Sequence, residues 1–373
     1  MRNPFLTYGY NGADYFCDRV EETKRLTNLL TNGNHVALIS PRRMGKTGLI
    51  HHCFSQQELQ SNYNLFVVDI YATKSQAELV FVLGRTILSV LKSKGRKAWE
   101  QFIQIAASLR TGLSLDAMGQ PSWNLGIGDI HTPQISLDEI FQYLEASDRP
   151  CIVAIDEFQS IIDYPEKNTE ALLRTYIQRC NNAWFIFSGS KRHMMGEMFS
   201  SPARPFYQSA STISLKPIPL QAYLPFITEH FTNYGFNIDR DAVEYLYNRF
   251  KGTTWYIQKI CNELFASAEP GGTCGIKDVD TAVNVAIEEK EDTFLDMLTR
   301  LTINQKALLL AMARSGKDLQ PTSSDFIKKN KLSAASTVQR SLAALQEKDI
   351  VTNVNGKYFI YDFFLNEWLK KRF

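Results

Sequence analysis

Residues 39–50 read ISPRRMGKTGLI and contain Gly45-Lys46-Thr47. The triplet closes the pattern G-x-x-x-x-G-K-[ST], whose backbone N–H groups wrap around phosphate oxygens. In that chemistry Gly45 lets the backbone come close, Lys46 supplies a point charge, and Thr47 offers a hydroxyl to Mg2+. The pattern's first glycine falls on Ser40. That position mainly permits the turn out of the preceding strand, and serine is small enough to keep the turn. A phosphate cradle is expected from Ser40, Pro41, Arg42, Arg43, Met44, Gly45, Lys46, Thr47 and Gly48.

Two other stretches carry matching chemistry. Residues 151–157, CIVAIDE, are an apolar run that ends in two acids. At a strand's carboxyl end Asp156 can hold the water shell of Mg2+, and Glu157 can polarise an attacking water. Without the upstream loop the pair would read as two solvated acids. Residues 184–190, WFIFSGS, run into Ser188 and Ser190. Either hydroxyl can lie near a terminal phosphate or an attacking water, and a plain Ser-Gly turn is the alternative reading.

These groups act together only if strands deliver them to one edge. HVALIS (35–40), NLFVVDIYA (64–72), CIVAIDE, WFIFSGS and STISLKPI (211–218) all read as buried strands. Helical patterns separate most of them. One follows the capping-box pair Ser75 and Glu78, another covers 136–146 and is opened by Ser136 with Glu139, and a third covers 168–180. Such alternation implies a parallel sheet with helices on both faces. Residues 111–134 break the rhythm. Leu113 and Leu115, then Trp123, Leu125 and Ile127, alternate with polar neighbours across Gly119-Gln120-Pro121, so a β-hairpin insertion is expected.

Beyond about residue 218 the strands are expected to stop. Segments 220–234, 239–250, 254–268 and 277–298 read as helices. From 302 the order becomes a helix at 304–314, a short one after Thr322-Ser323-Ser324, and a third from about Ser333 that carries Val338, Leu342 and Leu345. A hairpin with an Asn355-Gly356 turn follows, then an amphipathic helix with Phe364, Leu365, Trp368 and Leu369. Three helices and a hairpin are the order of a winged helix. The expected divisions are 1–218, 219–298 and 299–373.

The totals narrow the class. A chain of 373 residues suits two or three domains. No apolar run is long enough to span a bilayer, and MRNPFLTYGY has no apolar leader core, so no membrane partner is expected. Six cysteines with no C-x-x-C pair point to reduced thiols and a cytoplasmic setting, not to disulfides or zinc. His51-His52-Cys53 is the densest group of metal-type ligands, but adjacent residues point apart on a helix. Charge is uneven: residues 301–373 hold 12 Lys/Arg against 6 Asp/Glu, leaving 29 against 33 elsewhere. A basic C-terminal module can face nucleic acid, and a solvated lysine-rich surface is the alternative.

The order PRRMGKT, VAIDEFQ, FSGS, helical region, winged helix resembles the archaeal-type ATPases over nearly the whole chain. These belong to the STAND group of P-loop NTPases and are related to AAA+ initiator ATPases. FCDRVEETKRL (16–26) is similar to their F-x-x-R-x-x-E segment, residues 189–207 to GS-x(4)-M…PFY, and residues 252–264 to the lid pattern G-x-P-x-x-x-Q-x-x-C. The resemblance implies an α/β P-loop NTPase core with a parallel five-stranded sheet in 5-1-4-3-2 order, a helical lid and a winged-helix domain. It also implies ATP with Mg2+. By position it assigns Lys46 and Thr47 to phosphate and Mg2+, Asp156 to Mg2+, Glu157 as catalytic carboxylate and Ser188 as polar sensor. Arg204 stands at about the AAA+ arginine-finger distance, with Arg192 and Arg174 as competitors. The chain departs from the pattern at Ser40, at Thr254 where the lid often has proline, and at Trp255 where AAA+ initiators carry an arginine. No lid sensor is expected for that reason.

The function expected is a slow, Mg2+-dependent switch ATPase that couples nucleotide state to domain rearrangement. One rival is a nucleotide-regulated DNA-binding protein with incidental hydrolysis. The other is a signalling scaffold whose winged helix docks on a protein or on its own core. Ser336, Thr337, Gln339 and Arg340, with Lys328, Lys329 and Lys331 just upstream, can read double-stranded DNA. The partners expected are therefore ATP or ADP, with duplex DNA, a protein or a second copy of the chain as alternatives.

Overall fold

Five short apolar runs form one parallel sheet: β1 (Val36–Ile39), β2 (Asn64–Asp69), β3 (Cys151–Asp156), β4 (Ala183–Gly189) and β5 (Ser211–Ser214). In this computed structural model, residues 3–91, 114–115, 121–122, 133–316, 319–354 and 356–373 are described. The strand order is β2-β3-β4-β1-β5, the expected 5-1-4-3-2 read from the other edge. Register aligns the carboxyl ends, with Asp69 opposite Asp156 and Ile39 opposite Gly189.

Both sheet faces are covered, which explains why the strands read as continuous apolar runs. The helices are α1 (Val20–Thr31), α2 (Lys46–Phe54), α3 (Gln57–Asn62), α4 (Gln76–Leu91), α5 (Pro133–Glu145), α6 (Thr169–Arg179) and α7 (Arg192–Ser200). Val36, Leu38, Ile152, Ala154 and Ile186 share a buried cluster with Leu26 and Leu30 of α1 and Leu49 and Ile50 of α2. Their strand neighbours Ala37, Val153, Ile155, Phe185 and Phe187 share another with Leu79 and Leu83 of α4, Ile140 of α5 and Met195 of α7. Phe158, Phe187, Phe199 and Phe206 meet there with ring centroids 4.6–6.1 Å apart. Each such side chain contributes roughly 1.5–3 kcal/mol by burial.

The chain divides into two compact units. The larger holds Leu6–Tyr223 and Gly252–Trp255, and the smaller holds Met1–Phe5, Leu224–Lys251 and Tyr256–Phe373. The C-terminal half supplies α8 (Leu220–Asn233), α9 (Arg240–Arg249), α10 (Thr254–Ser267), α11 (Ile276–Glu288) and α12 (Glu291–Thr299). They are followed by α13 (Ile303–Ser315), α14 (Ser324–Lys329), α15 (Ala335–Glu347), the hairpin Val351–Val354/Lys357–Ile360, and α16 (Phe363–Arg372). Within the smaller unit Val338, Leu342 and Leu345 of α15 are buried, as are Leu308, Leu309 and Met312 of α13. Arg249 of α9 ties α16 through Glu367 at 2.5 Å and α11 through Asp280 at 2.5 Å.

Several expected boundaries change. The strands are not finished at 218, because Asn237–Ile238 pairs in parallel with Thr273–Cys274. Two residues per strand are too few for any periodicity to show. The single helix expected over 277–298 is two helices, broken at Glu289-Lys290 inside a charged run that carries no apolar phase. The break lets Phe294 pack on Trp368, with centroids 5.5 Å apart. Helix α5 begins at Pro133, so Ser136 lies inside it and not at its cap. Of the expected 111–134 hairpin, Ser114–Leu115 pairs antiparallel with Pro121–Ser122, residues 133–134 belong instead to α5, and the rest lies outside the described residues. Asn355, half of the expected hairpin turn, also lies outside them, while Gly356 has the left-handed φ of 80°.

Candidate functional site

The chain leaves β1 at Ile39 and enters α2 at Lys46. The loop between them needs two left-handed residues, Arg43 at φ 70° and Gly45 at φ 87°. Ser40 is fully buried, and its φ is not in the left-handed region, so the turn there requires no glycine. Its N–H donates to Gly189 O at 3.4 Å, carrying the β1–β4 ladder one residue further. Lys46 is 6% exposed, and its Nζ donates to Ser40 O at 3.1 Å and Pro41 O at 3.2 Å. Burial pushes its ammonium pKa down, Glu157 and Asp156 push it back up, and Arg42 pushes it down again.

Two bonds join the loop to the acid strand. The Thr47 hydroxyl donates to Asp156 Oδ2 at 2.6 Å. Asp156 Oδ1 accepts the Glu157 N–H at 3.0 Å. Glu157 has φ 56° and ψ 39°, a left-handed conformation that costs a non-glycine residue about 1–3 kcal/mol. Consecutive strand residues point to opposite faces, and this turn lets Asp156 and Glu157 escape that rule. The Glu157 Oε2 accepts from Gln159 Nε2 at 2.5 Å and from Ser190 Oγ at 2.7 Å.

The structure brings Ser40, Lys46, Thr47, Asp156 and Glu157 together. Ser188 is fully buried, and its Oγ has no hydrogen-bond partner among the described residues. It is Ser190, one residue past β4, that reaches Glu157. Arg204 is drawn elsewhere: it pairs with Glu170 and, at 3.7 Å, with Glu197. Burial pushes the Glu170 carboxyl pKa up, and Arg204 opposes that shift. Of its competitors, Arg174 donates to Gln178 Oε1 at 2.9 Å along its own helix, and Arg192 is exposed at the start of α7.

Of the other participants, Asp69 was not singled out by sequence reasoning, and the rest lie in the two resembled segments, where they were given no contact with the loop. Asp69 ends β2 opposite Asp156, and its carboxyl pKa is raised by burial first and then by Asp156 and Glu157. Arg19 and Glu22, the charged pair of the F-x-x-R-x-x-E segment, meet at 2.6 Å. The second Arg19 nitrogen donates to Met44 O in the loop at 3.2 Å. Phe16 of the same segment packs where a side chain at Gly48 would stand, 3.4 Å from an added Cβ. The lid pattern also reaches the loop. Trp255 N–H donates to Arg43 O at 3.0 Å, Thr254 Oγ1 donates to Met44 O at 3.4 Å, and the Arg43 guanidinium lies 4.6 Å from the Trp255 ring centroid. The motif spacing marked these residues, but only the fold shows that they brace one loop.

Hydroxyl and carboxylate oxygens are the hard donors Mg2+ selects, and Thr47 and Asp156 supply them side by side. A buried cation and left-handed backbone beside them suit a polyphosphate. Among the described residues no group of three or more His, Cys, Asp or Glu side chains could hold a metal. No helix among them is long and apolar enough to cross a membrane.

Residues 16–260 match the family described as an ATPase domain predominantly from Archaea. Residues 292–371 match the family described as "Probable winged helix domain". No curated protein matches the chain by sequence. Among solved structures it is similar to the Walker-type ATPase PABY2304 of Pyrococcus abyssi, at 17% identity and TM-score 0.64, covering 98% of this chain and 99% of that one. It is similar to the Aeropyrum pernix ORC2 protein in its ADPNP–ADP complexes, at 14% identity and TM-score 0.60, covering 99% and 96%. It is also similar to the Aeropyrum pernix ORC1 protein in complex with DNA, at 14% identity and TM-score 0.50, covering 96% and 94%. At these identities the likeness is one of fold.

Proposed function

We propose that this chain, which belongs to the family of ATPase domains found predominantly in Archaea, is a slow, Mg2+-dependent switch ATPase. The observation that carries the reading is the 2.6 Å bond from Thr47 to Asp156, which joins the phosphate loop to the acid strand with Glu157 next in line. Lys46 and the loop N–H groups would bind the polyphosphate of ATP, and Thr47 and Asp156 would hold Mg2+. When bound, the metal would neutralise phosphate charge. Glu157 would orient and deprotonate the attacking water. Arg204 keeps a finger role only if its contacts to Glu170 and Glu197 are given up.

The reading includes functional boundaries near residues 218 and 298, with bound nucleotide governing how the lid and winged helix are arranged. None of the six cysteines is in a disulfide and five are buried, which supports a reducing, cytoplasmic setting. The test is hydrolysis of ATP by the full chain with Mg2+ and with excess chelator. Metal-dependent release of phosphate that Lys46→Ala abolishes is expected. Hydrolysis that survives that substitution would overturn the reading.

A second reading, nucleotide-regulated binding of duplex DNA, has one observation in its favour. Lys328, Lys329, Lys331, Gln339 and Arg340 are exposed, while Val338, Leu342 and Leu345 of the same helix–turn–helix segment are buried. The ORC1 relative named above was solved with DNA. Light scattering in Mg-ADP and in a non-hydrolysable ATP analogue, with and without duplex, separates this reading from a protein-docking or self-associating role.

A further inference from the structure

Glu157 is held on one carboxylate oxygen by two donors that the sequence places far from it or gives no reason to connect. Gln159 Nε2 lies 2.5 Å from Glu157 Oε2, and Ser190 Oγ lies 2.7 Å from the same atom. The donors also bind each other, because Ser190 N–H donates to Gln159 Oε1 at 3.2 Å. That bond fixes which end of the Gln159 amide faces which partner. The oxygen must meet the N–H, so the NH2 must meet the carboxylate. Gln159 is 2% exposed and Ser190 8%, so solvent does not compete for either.

Gly189 makes the closure sterically feasible. A Cβ there would stand 2.4 Å from the Met195 side chain and 2.5 Å from Gln159 Oε1. The glycine of FSGS is therefore needed for close approach, independently of backbone conformation. The result is a closed ring of three residues spanning the ends of β3 and β4, with the Ser190 backbone N–H as one of its links. Both donors to the carboxylate use Glu157 Oε2, so Oε1 stands outside the ring.

We propose that Gln159 and Ser190 are positioning residues that orient Glu157 for water activation, and that Gly189 is present to let them close. The proposal rests on the ATPase reading above. A carboxylate on a flexible stem next to a left-handed backbone would otherwise sample several directions. A general base must lie within hydrogen-bond reach of the proton it takes, and displacement by about 1 Å costs on the order of 10²-fold in rate.

The test measures kcat, KM and Mg-ADP affinity for Ser190→Ala, Ser190→Thr, Gln159→Met and Glu157→Gln, and for Ser190→Ala combined with Glu157→Gln. Ser190→Ala and Gln159→Met should lower kcat by roughly 10- to 100-fold, with KM and Mg-ADP affinity within about twofold of wild type. Ser190→Thr keeps the hydroxyl and should recover most of the rate. In the Glu157→Gln background Ser190→Ala should cost nothing further, because it acts through the lost carboxylate. A second loss equal to the first, or a wild-type kcat in both Ser190→Ala and Gln159→Met, would overturn the clamp. A wild-type rate in Glu157→Gln would instead overturn the hydrolytic site itself. A global packing defect would lower Mg-ADP affinity and melting temperature in Ser190→Ala and Ser190→Thr alike, and that outcome also overturns the clamp.

Discussion

The phosphate loop and the winged helix both carry cations, and they hold them in opposite ways. Lys46 and Arg19 are 6% and 3% exposed, and each has assigned oxygen partners within 3.2 Å. Lys328, Lys329, Lys331 and Arg340 lie exposed on one module. Burying a charge is unfavourable unless it is paired, so a buried cation is committed to one arrangement. An exposed cation keeps its hydration and adapts to many anionic surfaces, at energies that salt readily screens. The first kind supports chemistry on one substrate, and the second supports association.

Four measurements would break or sharpen that contrast. The largest effect is expected at the committed site. Glu157→Gln keeps the shape and the donors Gln159 and Ser190 but removes the base. Turnover should fall by about 10²- to 10⁴-fold while Mg-ADP binding persists. Equal turnover in variant and wild type would place the base elsewhere.

The second measurement addresses the adaptable site. If Lys328, Lys329, Lys331 and Arg340 each neutralise a DNA phosphate, replacing all four should flatten the slope of log affinity against log salt by about 3 to 4 units. ATP hydrolysis should be unchanged. A wild-type chain that binds no duplex at about 50 mM salt, with either nucleotide, would remove DNA from the comparison.

Sequence and structure agree most closely where chemistry is local. Gly45-Lys46-Thr47 and Asp156-Glu157 each lie within a few residues on an element that burial makes obvious. The strands themselves also follow, because β1 to β4 are apolar on both faces and hidden by helices on both sides, whereas their order in the sheet came only from the family resemblance. The clamp on Glu157 was not legible, since Ser190 lies 33 residues away and arrives only through β3–β4 register. Ser188 and Ser190 look equivalent in the sequence. Only the end of the strand at Gly189 distinguishes the one sealed in the core from the one turned toward the acid. Arg204 shows the converse. Spacing suggested a finger, but Glu170 and Glu197, on α6 and α7, hold it. The break at Glu289-Lys290 fell in a charged run, where periodicity carries no signal.

The third measurement returns to the loop. The Lys46 ammonium donates to two loop carbonyls, Ser40 O and Pro41 O. Ligand at about 100 times its dissociation constant stabilises a fold by roughly 2.7 kcal/mol. The wild type should melt higher in Mg-ATP, and Lys46→Ala should lose most of that shift. Equal shifts in the two proteins would show that the loop is not where the nucleotide binds.

The smallest effect separates bracing from mere charge. Arg19 uses one nitrogen for Glu22 and the other for Met44 O, with its backbone in the left-handed region at φ 64°. Lysine carries the same charge but no planar fork, so Arg19→Lys can satisfy one partner at a time. The carbonyl left behind would keep only the weaker Thr254 contact at 3.4 Å. A lost charge-assisted hydrogen bond costs about 1.5–3 kcal/mol. Melting of the nucleotide-free chain should fall accordingly, and Mg-ADP affinity should drop several-fold as the loop loosens. Lys328→Ala is the matched control, because an exposed substitution changes stability within about 0.5 kcal/mol. If Arg19→Lys and Lys328→Ala melt together, the buried guanidinium does not brace the loop, and the contrast between committed and adaptable cations fails at its own site.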